Sequence, residues 1–183
     1  MLQLNFDPFP ILKSERLLLR KITMEDAEDF FVLRSDVNAM KYIDRPKPGS
    51  IQDIYELVAK ISAGIQKNES IGWAITLKDK PGMVGSMGFH LIEQENYRAE
   101  IGYMLHPSCW NKGYMSEAIK IAIEYGFNEM KLHSIEAKIN PENTASARLL
   151  KKNQFTKEAY YRENYFFNGK FLDTEIYSLL TTL

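Results

Sequence analysis

The stretch from Ala99 to Ala118, "AEIGYMLHPSCWNKGYMSEA", restricts the fold more than any other part of the chain. It opens as a strand and, past Gly113, becomes a helix from about Met115 to Asn128 with apolar residues 115, 118, 119, 122, 123 and 127 on one face. Strand, glycine turn and helix in this order leave free main-chain N–H groups at a helix N-terminus, where the dipole is positive. That is a cradle for an anion such as a phosphate. Lys112 adds a cation at its rim, and Gly113 lets a ligand approach the backbone closely. Neither common nucleotide motif is present: the glycine pattern ending in Lys-Ser/Thr is missing, and so is G-x-G-x-x-G.

The apolar period orders the rest of the chain. "ERLLLRKI" (Glu15 to Ile22) reads as a first strand, although its unbroken leucines hide the alternation. "TMEDAEDFFVLRSD" starts a helix with Thr23 as N-cap and Asp26 at the third helical position. Lys41 to Ser50, with two prolines and a glycine, is a loop. Ser50 caps a second helix, whose apolar residues 51, 54, 57, 58, 61 and 65 share a face. "SIGWAITLKD" and "GMVGSMGFHLIE" form a hairpin around "KDKPG", followed by the fourth strand, Arg98 to Leu105. After the glycine turn and its helix come a fifth strand, Leu132 to Asn140, and a short helix with Asn143 near its start. Asn168-Gly169 between two β-rich runs marks a closing hairpin. This order predicts an α/β fold with a mixed sheet and at least one right-handed crossover. No linker or repeat divides the chain, so a single domain over residues 1–183 is expected.

Composition removes several function classes. With 23 basic against 24 acidic residues the net charge is -1, which argues against a nucleic-acid surface. No apolar run of about 18 residues exists to span a membrane. "MLQLNFDPFP" lacks the pattern of a signal peptide, and the lone Cys109 suits a reducing compartment, so a cytoplasmic protein is expected. His90, His106 and His133 are scattered without ligand spacing, so no metal is expected. Cys109 has no evident base and reads as structural.

"WNKGYMSEA" resembles the phosphate loop of the GCN5-related N-acetyltransferases (GNAT). Only the central glycine of that superfamily's Q/R-x-x-G-x-G/A pattern survives, with Trp110 at the Q/R position and Met115 at the last small residue. The branch resembling the ribosomal-protein N-terminal (alanine/serine) acetyltransferases commonly reads W-G-K-G-Y-x-[ST]-E-A, from which this chain departs at Asn111 alone. "NPENTASARLLKKNQF" is similar to that branch's N-x-x-S helix followed by G-F, with Gln154 replacing the glycine, and "NGKFLDTEIYSL" to its closing hairpin. The matches run in order from Ala99 to Leu180, and "SERLLLRKITMEDAEDFF" matches loosely.

The resemblance implies a mostly antiparallel sheet splayed between the fourth and fifth strands, with helices on both faces. It implies that coenzyme A places its pyrophosphate on Trp110, Asn111, Lys112, Gly113, Tyr114, Met115 and Ser116, and that pantetheine enters the splay along Met104 and Leu105 and touches Asn143. Acetyl-CoA is then a co-substrate and the acceptor a primary amine: a protein N-terminus such as a ribosomal protein's, or a small amine or polyamine. The loop Lys41 to Ser50, expected beside the acceptor, leans basic and disfavours a polyamine. A homodimer follows by analogy with the branch.

Acetyl transfer from a thioester to an amine needs a neutral amine, a donor for the oxyanion and a fate for the thiolate. Direct attack in a ternary complex needs no protein nucleophile. By the resemblance Glu100 is the base, and a salt-bridged strand carboxylate is its ordinary alternative; Glu163 in the closing hairpin is the second candidate. The main-chain N–H of Met104 is the expected oxyanion donor, and Gly102 is a candidate bulge that opens the strand. The usual thiolate acid, a Tyr in the last helix, falls at Leu150, which leaves Ser146, and more weakly Tyr103, for that role. The missing Tyr and the altered loop also allow a non-catalytic acetyl-CoA sensor. A plain nucleotide binder is the third reading.

Overall fold

In the computed structural model, which describes residues 1–181, the chain runs β1 (Leu12–Lys13), β2 (Leu17–Lys21), α1 (Ala27–Ser35), α2 (Ile51–Gln66), β3 (Ile71–Leu77), β4 (Met83–Glu93), β5 (Arg98–Leu105), α3 (Tyr114–Asn128), β6 (Ser134–Ile139), α4 (Thr144–Lys152), β7 (Thr156–Phe167) and β8 (Lys170–Leu180). The expected domain span, 1–183, ends two residues outside the described ones. The strands form one sheet in the order β1-β2-β3-β4-β5-β6-β8-β7. Its neighbours are antiparallel except β5 and β6, which the α3 crossover makes parallel.

Local sequence accounts for the elements. Leu17 and Leu19 are wholly buried while Leu18 and Arg20 are half-buried, so the leucine run of β2 does alternate. The strand is shorter than expected because the chain first folds back, pairing Leu12 with Leu19 and Lys13 with Leu18. Thr23 and Asp26 form the expected capping box ahead of α1, and Asp26 also takes both terminal nitrogens of Arg20, at 2.6 and 2.8 Å. Asn168 and Gly169 both have positive φ, 48° and 77°, as a two-residue turn between β7 and β8 requires.

Two apolar layers cover the sheet. On one face α1 and α2 bury Phe30, Leu33, Ile54 and Val58 against Ala74, Met83 and Met104. On the other, Ile119 and Ala122 of α3 and Leu150 of α4 join Leu17, Leu19, Phe89, Ile101 and Ile135. Trp73 is wholly buried there, its Nε1–H donating to the Pro10 carbonyl at 2.8 Å.

The splay lies where expected. β5 and β6 pair only at Arg98–Ser134, Ala99–Ile135 and Glu100–Glu136. Past Glu100 they part, while β6 stays paired with β8 along its whole length, from Ser134 to Ile139. Gly102 does not bulge: the β4–β5 register is unbroken from Gly85–Leu105 to His90–Glu100, and its irregularity falls between His90 and Glu93. Gly102 makes room instead, since a Cβ there would stand 2.7 Å from His90 Cε1.

Candidate active site

A cavity of about 540 Å³ fills the region where β5 and β6 part. Glu100, Tyr103 and Met104 of β5 line it, with His90 of β4, Lys138 of β6 and Asn143 and Ser146 at the start of α4. Alternation along β5 puts Glu100, Gly102 and Met104 on the α1–α2 face. The register sets Glu100 directly opposite His90.

Glu100 is held from both sides. Its Oε1 lies 3.1 Å from His90 Nε2, and its Oε2 makes an ion pair with Lys138 Nζ at 2.9 Å. Lys138 also meets Glu136 at 3.2 Å, which meets Arg98 at 2.8 Å. Burial raises the Glu100 carboxyl, but the bonds to His90 and Lys138 outweigh burial and hold it below the usual carboxylate range. Glu100 is thus an ionised acceptor that stays ionised. An ionised carboxylate only accepts, so Nε2 of a neutral His90 carries the ring proton and Nδ1 is its basic nitrogen. His90, set aside as a metal ligand, is a site residue that its sequence neighbours did not announce; only its register opposite Glu100 reveals it.

Tyr103 and Ser146, two separate candidates in the sequence, share a hydrogen bond of 2.6 Å between their hydroxyls. Burial pushes the Tyr103 phenol up to about 12, against a lowering by Ser146, so it stays protonated. Asn143 caps α4, its Oδ1 accepting the Ser146 N–H at 3.1 Å. Leu150 faces away: it is wholly buried in the core, where its carbonyl accepts the Phe155 N–H at 3.0 Å and Lys151 accepts that of Gln154 at 3.0 Å. These two bonds form a Schellman motif, and Gln154 takes the left-handed conformation (φ 68°) that glycine usually supplies. Glu163 is exposed on an irregular part of β7, its N–H donating to Asp173, and does not line the cavity.

The main chain of β5 corrects one expectation. The His106 N–H donates to the Val84 carbonyl at 2.8 Å, so even-numbered positions turn toward β4. Tyr97 accepts from His133 and Ser134 at 2.6 and 3.2 Å, so odd-numbered positions turn toward β6. Met104, paired with Ser86, therefore aims its N–H into the sheet, and its side chain packs in the α1–α2 core. Tyr103 and Leu105 carry the N–H groups that face the split. Leu105 already gives its carbonyl to Trp110 Nε1, at 2.8 Å.

Beyond the end of β5 lies the turn expected to cradle an anion. The first helical bond of α3 is Glu117 N–H to the Gly113 carbonyl at 3.1 Å; among the described residues the N–H groups from Asn111 to Ser116 have no protein partner. Asn111 and Gly113 have φ of 59° and 80°. Asn is among the residues that tolerate this region best, which explains how it stands where the family branch has glycine. Lys112 turns back, its Nζ donating to the Ser108 carbonyl at 2.8 Å. The cradle is fastened from behind by Arg16, which donates to the Lys112 carbonyl at 2.9 Å, pairs with Glu117 at 2.6 Å and lies 4.7 Å over the Tyr114 ring. Burial raises the Glu117 carboxyl, but Ser14, the Arg16 N–H and the Arg16 guanidinium hold it below the usual range. Arg16 is another residue the sequence did not single out, since its partner lies 101 positions away.

The unpaired N–H run and the open edge of β5 suit a ligand with a phosphate at one end and an extended amide arm, the shape of coenzyme A. Among the described residues no group of three or more His, Cys, Asp or Glu gathers to hold a metal, and no helix is long and apolar enough to cross a membrane.

The family profile described as the acetyltransferase (GNAT) domain matches residues 16–156. The uncharacterized N-acetyltransferase YoaA of Bacillus subtilis is 37% identical over 172 residues, covering 94% of this chain and 97% of the relative. The crystal structure of a GNAT-family acetyltransferase from Bacillus anthracis superposes with a TM-score of 0.83 at 33% identity, covering 93% of this chain and 98% of the other. RimL, a ribosomal alpha-N-protein acetyltransferase solved with coenzyme A, shares the fold with a TM-score of 0.86 at 23% identity, covering 93% and 98%.

Proposed function

The chain belongs to the GNAT acetyltransferase family, and on that premise we propose how its residues move an acetyl group from acetyl-CoA to a primary amine. The observation that carries the proposal is the half-zipped β5, whose free edge ends at a cradle of unpaired N–H groups. Acetyl-CoA supplies the activated acyl carbon. The N–H groups of residues 111–116 hold the pyrophosphate, helped by the α3 dipole. The odd-numbered main-chain groups of β5 hold the pantetheine arm, with Asn143 beside it.

His90 accepts the amine proton at Nδ1 as the amine nitrogen bonds to the acyl carbon. Glu100 orients the ring through Nε2 and balances the imidazolium that forms. One of the Tyr103 and Leu105 N–H groups donates to the developing oxyanion, in place of Met104, and the other is left for the pantetheine arm, because donors two residues apart on a strand are too far apart to share one oxygen. As the carbon–sulfur bond breaks, the Tyr103–Ser146 pair donates a hydrogen bond to the sulfur. A phenol near 12 does not readily give its proton to a thiolate, which as a thiol ionises near ~8.5, so the pair stabilises the thiolate and solvent protonates it.

The acceptor is a protein N-terminus, as RimL's name describes for that protein, or a small amine, and the reaction takes place in the cytoplasm. The direct test is thermal unfolding with acetyl-CoA, coenzyme A, ATP or NAD, followed by thiol release with amine acceptors. Saturating acetyl-CoA, at ~100 times its dissociation constant, adds about 2.7 kcal/mol and raises the midpoint by roughly 5–10 °C. No shift with acetyl-CoA, or a larger one with ATP, overturns the assignment of the cradle.

A further inference from the structure

The cavity that holds Glu100, Tyr103 and Ser146 is also lined by Arg34, near the end of α1, and Arg45, in the loop that follows. Acetyl transfer to an amine has no use for a guanidinium. Two carboxylates share the cavity with them, and both are engaged: Glu100 by His90 and Lys138, Asp44 by the hydroxyl of Tyr165. Among the described residues neither guanidinium pairs with a carboxylate or donates a hydrogen bond to the protein.

Arg34 is half-buried, its guanidinium carbon 6.0 Å from the centre of the Phe30 ring. Burial and the nearby charge of Arg45 push it below its ordinary range. Two neighbouring cations, one partly desolvated and without an acid between them, are unfavourable until an anion joins them. The guanidinium fork matches the paired oxygens of a carboxylate or a phosphate. With Lys138 balancing Glu100, the walls set Arg34 and Arg45 against Asp44 alone, which leaves them net positive.

We infer that the acceptor is a small amine that also carries an oxyanion, and that Arg34 and Arg45 hold this group while the amine faces His90. The inference rests on the acetyl-transfer reading of the cavity and names its substrate class. A polyamine is the opposite of what these walls attract.

The test compares matched acceptors by thiol release with acetyl-CoA. An amino acid is set against its amide, an aminoalkyl phosphate against the corresponding amino alcohol, and spermidine and a neutral peptide amide complete the panel. The expected result is a kcat/KM at least tenfold higher for one or both anionic acceptors than for their neutral partners. Which of the two is preferred distinguishes carboxylate from phosphate. Arg34→Gln should pull that ratio toward 1, mostly through KM, and Arg34→Lys should keep part of it. A neutral peptide amide or spermidine as the best acceptor overturns the inference and leaves acetyl transfer standing. So does an anion preference that survives Arg34→Gln combined with Arg45→Gln.

A binding measurement covers the case of no turnover. The N-acetylated amino acid, the N-acetylated aminoalkyl phosphate and their neutral counterparts are titrated calorimetrically into the coenzyme A-loaded protein. Binding of an anionic product that is lost in Arg34→Gln upholds the anion site while the catalytic reading falls. If no acceptor is used and no anionic product binds, both readings fall.

Discussion

The two halves of β5 behave differently although they are one strand. From Arg98 to Glu100 it pairs with β6 residue for residue and with β4 at its two ends, and the buried Ala99 belongs to the core. From Ile101 to Leu105 it keeps β4 but loses β6. The first half satisfies its backbone within the protein and contributes stability. The second leaves main-chain donors and acceptors facing a cavity, which a folded protein tolerates where water or a ligand satisfies them. Withdrawing one neighbour from half of one strand is thus enough to open a sheet edge inside the molecule.

The largest effect that separates the halves is on stability in the closed part. Ile135→Ala, opposite Ala99 and wholly buried, should cost about 2–5 kcal/mol and lower the unfolding midpoint by roughly 10 °C, read by calorimetry. Ser146→Ala, at the open part, should leave the midpoint within a few degrees and lower turnover. If Ser146→Ala unfolds the protein as Ile135→Ala does, the division between the halves fails.

Next in size is the proton path. His90→Gln should lower kcat about 100-fold or more, with activity recovering as the pH approaches the amine's own ionisation. Glu100→Gln removes the ring's orienting partner and should cost less, with acetyl-CoA affinity nearly unchanged. Equal losses that do not recover at high pH would return the base to Glu100. Gly102→Ala should displace the His90 ring and lower turnover about tenfold, without weakening acetyl-CoA in a thermal-shift titration.

Acid unfolding sharpens the role of Arg16. The folded pKa of Glu117 lies below its unfolded value, so its contribution is fully present above the ordinary carboxylate range and is lost as pH falls through the depressed value. Glu117→Gln should therefore destabilise the protein at neutral pH by about 1 kcal/mol and flatten stability below pH ~4. An unchanged acid limb would show that the pair fastens nothing. The smallest effect has the opposite sign: Gln154→Gly should stabilise by about 0.5–1 kcal/mol, because glycine adopts φ near 68° without strain. It should leave turnover alone.

Much of the molecule was legible because local patterns carry it. The capping box at Thr23 and Asp26, the helical face of α2, the Asn168-Gly169 turn and the cradle at Gly113 each depend on residues within a few positions of one another. The two departures from the family branch, Asn111 and Gln154, both occupy left-handed conformations; a sequence shows the replacement but not the φ it must adopt. The short β1–β2 return was hidden because unbroken leucines erase the two-residue period.

The sequence by itself determined the succession of elements, the glycine turn ahead of α3 and the family, since these follow from the order and spacing of neighbouring residues. The tertiary structure decided which groups meet. Strand register set His90 against Glu100, ladder parity turned the Met104 N–H away from the cavity, and packing brought Tyr103 to Ser146. It also joined Arg16 to Glu117 and, among the described residues, left Arg34 and Arg45 on one cavity with neither paired to a carboxylate. Such pairings depend on distances between segments far apart in the chain. A one-residue slip in register reverses every one that a strand makes, and no local pattern records that choice.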